Sequence, residues 1–133
     1  MSSKPPDLVF FIDRSLGKHK IPQALRALGH SVVIHDEVFE PETPDEVWLS
    51  EAGRSGWIVL TKDEHIRYRK NELAAARRTG VRLFVLTAGN LTGDEMATVI
   101  ASALPRVKRL ATRIPGPCVA SIDRRGRVTL LIR

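Results

Sequence analysis

Three aspartates stand where apolar or capping segments give way to a new element: Asp13, Asp45 and Asp63. Asp13 follows the apolar run Leu8-Val9-Phe10-Phe11-Ile12, and Asp63 follows Ile58-Val59-Leu60-Thr61-Lys62. Asp45 sits in Thr43-Pro44-Asp45-Glu46, a helix-start signature in which Thr43 can cap, Pro44 can take the first position and Glu46 can close a capping box. Carboxylates gathered in a low dielectric repel one another, so such a group takes up either protons or a cation. Mg²⁺ or Mn²⁺ is the matching cation, because hard ions take oxygen ligands and keep several waters. An ion of this kind lowers the pKa of bound water and stabilises charge on a phosphate oxygen. Each aspartate also has a plainer role. Asp13 and Asp63 can cap the segments that follow them, and Asp45 suits the positive end of a helix dipole. A common location is the argument for a shared site.

That location comes from the elements. Apolar runs at residues 8–12, 31–35, 57–60 and 81–86 read as buried strands, separated by helical patterns. The helices fall at about residues 19–28, from the Thr43 cap with Pro44 in first position to the Gly53–Gly56 region, at 63–79 with a break near Asn71, and from a second capping box, Thr92-Gly93-Asp94-Glu95, onward. Pro105 is expected to kink or restart that last helix. Alternating strands and helices imply a mostly parallel sheet covered on both faces, with ligands at the carboxyl ends of the strands. Asp13, Asp45 and Asp63 all belong to that edge. Asp36 shares it but lies in an acidic loop and ranks below them. Cys118–Ile122 and Val128–Ile132 flank a turn with Gly126 and read as a β-hairpin that joins one edge of the sheet or projects as an arm.

Around the acidic edge, Ser15 and Thr61 are candidates for positioning a ligand or a phosphate. In the Thr87-Ala88-Gly89-Asn90 loop, Thr87 and Asn90 offer an accessory oxygen, with a plain turn as the equal alternative. Arg14, Lys62 and Arg67 lie near the edge and could hold a polyanion, and phosphate contacts would make binding fall steeply with salt.

The composition is consistent with a basic globular domain. The 133 residues carry a formal net charge of +6, from 21 Lys and Arg against 15 Asp and Glu, which favours a polyanionic partner. No apolar run approaches the length of a membrane span, and no leader-type segment opens the chain, so a cytoplasmic location is expected. Cys118 is the sole cysteine, which rules out an internal disulfide. The four histidines show no zinc-ligand spacing, and no Gly-x-Gly-x-x-Gly follows the first strand, which argues against zinc and dinucleotide sites. Trp48 and Trp57 are expected in the core, and Tyr68 is the one candidate for base stacking.

Four segments in order carry a family resemblance: Phe11-Ile12-Asp13-Arg14-Ser15-Leu16, Ala27-Leu28-Gly29-His30-Ser31-Val32, Pro44-Asp45-Glu46-Val47-Trp48 and Ile58-Val59-Leu60-Thr61-Lys62-Asp63. Residues 8 to about 90 thereby resemble the PIN-domain superfamily, specifically PIN-like toxins of VapC type. The resemblance implies a three-layer α/β/α fold with a central, mostly parallel four-stranded sheet, here followed by the C-terminal hairpin. The length suits one domain, so the chain is read as a single PIN-like domain over residues 1–133, with an α/β core at 8–114 and a hairpin at 115–133 that has no counterpart in the minimal family fold. The resemblance further implies an Mg²⁺- or Mn²⁺-dependent ribonuclease with Asp13, Asp45 and Asp63 as catalytic metal ligands. The partners implied are an RNA substrate and a small antitoxin, with a homodimer allowed. The chain departs from the family pattern near the end of the fourth strand, where a fourth acidic residue is common and Thr87 and Asn90 stand instead. An inactive PIN-like module that binds RNA or protein is therefore the alternative. A receiver-like signalling domain is a third reading, weakened because Asp13 lacks a paired acid beside it.

Overall fold

The computed structural model describes residues 8–67 and 69–132. The strands are β1 (Val9–Ile12), β2 (Ser31–Ile34), β3 (Ile58–Thr61), β4 (Arg82–Leu86), β5 (Cys118–Ile122) and β6 (Val128–Ile132). The α-helices are α1 (Lys20–Ala27), α2 (His35–Val38), α3 (Asp45–Ser55), α4 (Lys70–Thr79) and α5 (Gly93–Arg113), with short 3₁₀ turns at Arg14–Leu16 and Glu64–Arg67.

The six strands form one sheet in the order β2-β1-β3-β4-β5-β6, parallel from β2 to β5, with β6 antiparallel at the edge. The expected four-stranded parallel sheet is thus extended by the hairpin, because β5 pairs with β4 along its whole length. The physical reason is burial. Cys118, Val119, Ala120 and Ile122 are nearly all apolar and bury on both faces, as a central parallel strand must. The hairpin turn is held by Asp123, whose carboxylate accepts the backbone N–H of Arg125 and of Arg127, both at 2.9 Å. Gly126 has φ +78° there, and a Cβ at this position would lie 2.7 Å from Ser102 Oγ on α5.

Two apolar layers sandwich the sheet. Leu25, Ile100, Leu104 and Val107 from α1 and α5 pack on Phe10, Ile12, Leu60 and Phe84. On the other face, Trp48, Leu49, Ala52, Ala75 and Ala76 from α3 and α4 pack on Phe11, Val59, Leu83 and Val85. Phe11 is sandwiched between the two tryptophans, with ring centroids 5.2 Å from Trp48 and 5.6 Å from Trp57. Helices α3 and α4 approach so closely at Gly53 that a Cβ there would fall 2.1 Å from Thr79 Oγ1.

β6 carries an irregularity. Ala120 pairs with Leu130 but Val119 pairs with Ile132, so Leu131 is an extra residue in the edge strand. Side chains then change face across the bulge. Val128 packs with the α1–α5 layer and Ile132 with the α3–α4 layer, while Leu131 is left 39 % exposed.

Of four local expectations, one is met and three shift. The capping box at Thr92–Glu95 forms with both hydrogen bonds. The one expected at Thr43–Glu46 does not: α3 has Pro44 at its cap, with no side-chain capping bond. The break expected near Asn71 falls earlier, between the 3₁₀ turn ending at Arg67 and the start of α4 at Lys70. α5 runs unbroken through Pro105.

Candidate functional site

The sheet changes direction between β1 and β3. From β1 the chain steps outward to β2, then returns past β1 to lay down β3 on its other side. Such a switch point leaves a crevice at the carboxyl ends of the two diverging strands. Asp13 and Asp63 follow those two ends, and Asp13 N–H donates to Leu60 O at 3.0 Å, which locks the end of β1 against that of β3.

Asp13 is 7 % exposed, and both its oxygens are occupied. Oδ1 accepts Arg14 N–H at 2.8 Å, which starts the 3₁₀ turn. Oδ2 accepts the hydroxyl of Ser15 at 2.8 Å and that of Thr61 at 2.7 Å. Each hydroxyl has one proton, and both are spent on Asp13, so the 3.2 Å approach of Ser15 Oγ to Thr61 Oγ1 is a contact between acceptors. Each hydroxyl oxygen in turn accepts a backbone N–H from the segment after β3. Lys62 N donates to Ser15 Oγ at 2.9 Å and Asp63 N donates to Thr61 Oγ1 at 3.0 Å. Ser15 and Thr61, expected as accessory residues, are thus the stitches that join the Asp13 turn to the Asp63 turn.

Asp45 and Asp63 share a different arrangement. Asp45 Oδ1 accepts Trp48 Nε1–H at 2.9 Å, and Asp63 Oδ1 accepts His65 N–H at 3.0 Å. One oxygen of each carboxylate is therefore anchored. The other oxygen of each faces the same atom, Arg69 Nη1, at 3.3 Å from Asp45 Oδ2 and 2.9 Å from Asp63 Oδ2. Residues 45 and 63 come from opposite sides of β3 in the chain and meet over one cation. The third, Asp13, does not join that contact directly. It is tied to Asp63 through Thr61, and among the described residues no three His, Cys, Asp or Glu side chains converge tightly enough to form a ready-made metal cluster.

The donor chemistry nevertheless fits a hard divalent ion. Two carboxylate oxygens already oppose one positive charge, and Mg²⁺ characteristically needs only one or two carboxylates because it retains its waters. A cleft of about 230 Å³ opens beside Asp63, lined by Lys62, Glu64, His65, Leu86, Thr87, Ala88 and Gly89.

The remaining candidates are placed as follows. Lys62 lines that cleft and is half-buried. Arg14 is turned away from Asp13: its Nη1 donates to Pro41 O and its Nε lies 3.4 Å from Asp36. The side chain of Arg67 and the whole of Tyr68 lie outside the described residues. Asn90 adopts φ +59° in an exposed loop, and Thr87 Oγ1 donates to Ile122 O at 3.3 Å, so this loop is tied to β5. Asp36 forms a separate cluster. Lys18 Nζ at 2.9 Å and the buried His35 Nδ1 at 2.8 Å hold its carboxyl below the usual range. Arg69 is one of five cations between residues 67 and 78, with Arg67, Lys70, Arg77 and Arg78. No local signal singles it out there, since its place at the cap of α4 emerges only from the structure.

Comparison with known proteins agrees with this architecture. The family described as "PIN like domain" matches residues 8–88. A protein of Mycobacterium tuberculosis (strain ATCC 25618 / H37Rv) named "Putative ribonuclease VapC45" is 30 % identical over 116 residues, covering 84 % of this chain and 83 % of that protein. No solved structure gives a significant match.

Proposed function

This chain belongs to the PIN-like domain family, and from that premise we propose that it is a metal-dependent endoribonuclease of VapC type, the toxin of a toxin–antitoxin pair. The relative's name supplies the ribonuclease class. The observation that carries the reading is the pair Asp45–Asp63, each anchored through Oδ1 and each turning Oδ2 to a common cation, with the buried carboxylate of Asp13 linked to the Asp63 turn through Thr61. Asp45 and Asp63 would hold Mg²⁺ or Mn²⁺, with Asp13 as the third carboxylate of the set. Bound there, such an ion supplies acidified water and charge neutralisation for phosphodiester hydrolysis.

The chain's own residues do the positioning. Trp48 Nε1–H and His65 N–H fix the two carboxylates so that their free oxygens need no reorientation. Thr61 and Ser15 set the distance between the Asp13 and Asp63 turns. Lys62 on the adjoining cleft would hold a substrate phosphate. In the hydrolysis, water oxygen bonds to phosphorus, one P–O ester bond breaks, and the leaving oxygen takes a proton, leaving a monoester and a hydroxyl end.

The test is cleavage of labelled RNA by the purified chain. Activity should require Mg²⁺ or Mn²⁺, stop with EDTA, and be lost in Asp63→Asn and Asp13→Asn variants that keep the wild-type circular dichroism spectrum. Undiminished cutting by a folded double variant would refute the assignment. RNA binding without any cutting by the wild type would favour a binding module instead.

A further inference from the structure

Arg69 occupies the position that the functional reading gives to a metal. Its Nη1 lies 3.3 Å from Asp45 Oδ2 and 2.9 Å from Asp63 Oδ2, the two carboxylate oxygens that no anchoring bond holds among the described residues. We propose that Arg69 is a tethered counter-cation of this pair, which a divalent ion must displace in order to bind. The inference rests on the metal-site reading and adds a regulatory element to it.

Four observations on the residues lead there. The first is the shared atom: one nitrogen serves both carboxylates, so the guanidinium and an ion compete for the same two oxygens. The second is anchoring. Trp48 and His65 hold Asp45 and Asp63 by their other oxygens, so the pair stays in place when its cation changes. The third is location. The Arg69 backbone starts α4, its carbonyl accepting Leu73 N–H at 3.0 Å, but its side chain makes no capping bond there, where the helix dipole disfavours a cation. Among the described residues, the ion pairs of its guanidinium are those to Asp45 and Asp63. The fourth is freedom to leave. The Arg69 side chain is 43 % exposed and the Asp45 and Asp63 side chains 34 % and 22 %, so the contact is open to water and a swing outward costs little burial.

Displacement exchanges one positive charge for two between the carboxylates. It also frees a guanidinium on a flexible stem next to the cleft that Asp63 lines. Without the ion, Arg69 relieves the repulsion between Asp45 and Asp63. A substitution that removes its charge therefore has two opposite effects: the metal-free protein loses stability, and the ion loses a competitor.

The test uses the whole 133-residue chain and Mn²⁺ alone, with bound metal read from the electron paramagnetic resonance signal of the free ion. Arg69→Gln is expected to bind Mn²⁺ about tenfold more tightly than wild type. Its melting temperature should be lower without metal and should regain most of that loss at saturating Mn²⁺. Arg69→Lys, which keeps the charge, is expected to stay within about threefold of wild type. An Arg69→Gln variant that binds Mn²⁺ no better than wild type, while Asp63→Asn abolishes binding, overturns the competition and leaves the metal site standing. A lysine variant that binds as tightly as the glutamine variant also overturns it, since charge would not be the cause. Mn²⁺ binding unaffected by both Asp45→Asn and Asp63→Asn removes the metal site and this inference together.

Discussion

Replacing Thr61 with valine tests the stitching of the site with almost no change in shape. Thr61 is fully buried at the end of β3. Its hydroxyl donates to Asp13 Oδ2 at 2.7 Å and accepts Asp63 N–H at 3.0 Å. Valine removes both bonds. A hydrogen bond to a carboxylate contributes about 1.5–3 kcal/mol, and a buried partner left unpaired costs more. Two features reduce the sum: Ser15 Oγ still serves Asp13 Oδ2, and the Asp63 turn is only half-buried, so water can reach its N–H. The expected loss is about 2–4 kcal/mol. With a urea slope of roughly 2 kcal/mol per molar, the unfolding midpoint should fall by about 1–2 M. Thr61→Ser keeps the hydroxyl and should cost only about 1 kcal/mol for the lost methyl. A double-mutant cycle with Ser15→Ala should show coupling, because both hydroxyls end on one oxygen. A midpoint for Thr61→Val equal to that of Thr61→Ser, or a cycle that closes additively, would show that the hydroxyl does not hold the carboxylate and that the geometry argued for Asp13 and Asp63 is wrong.

Gly53→Ala should cost about 1–3 kcal/mol in chemical denaturation, since the new methyl meets Thr79 Oγ1, Cβ and the backbone oxygen, and trimming the threonine in Gly53→Ala/Thr79→Ala should recover only part of it. A neutral Gly53→Ala would mean that α3 and α4 are further apart than described. The Asp36 carboxyl is held below its ordinary value of 3.8 by Lys18 first and His35 second. A lowered folded-state pKa stabilises the protein above the unfolded value and is lost as pH falls through the folded one. Lys18→Met should therefore narrow the gap in stability between neutral and strongly acidic pH, measured by denaturation at pH 7, 4 and 2.5; an unchanged acid limb would exclude Asp36 as a contributor.

Much of this molecule follows from short-range signals. An apolar run ending in Asp marks β1 and, through Thr61 and Lys62, β3, because a parallel strand buried on two faces must be apolar throughout and its carboxyl end must become polar. Thr92 and Glu95 announce α5 because a capping box is satisfied within four residues. Thr43 and Glu46 carry the same local signal without the result. There Asp45 turns to Trp48 within its own helix and to the distant Arg69, and the helix begins one residue later than a Thr43 cap would set. The role of Arg69 was out of reach for a related reason. Its partners lie 24 and 6 residues away, and nothing in a basic segment distinguishes the one arginine that reaches a carboxylate pair. The place of β5 was similarly undetermined, because a hairpin pattern does not say whether its first strand also pairs with β4.

The extra residue in β6 has a consequence for how this protein meets its neighbours in a crowded solution. An uninterrupted outer strand is a template on which another chain can lay down backbone, and growth by that route ends in aggregates. Here the ladder offered to a newcomer is broken at Leu131, and the residues on either side face opposite layers. A strand arriving from outside would have to reproduce the same kink to continue past it. The defect thus works against extension of the sheet past Leu131 at this edge.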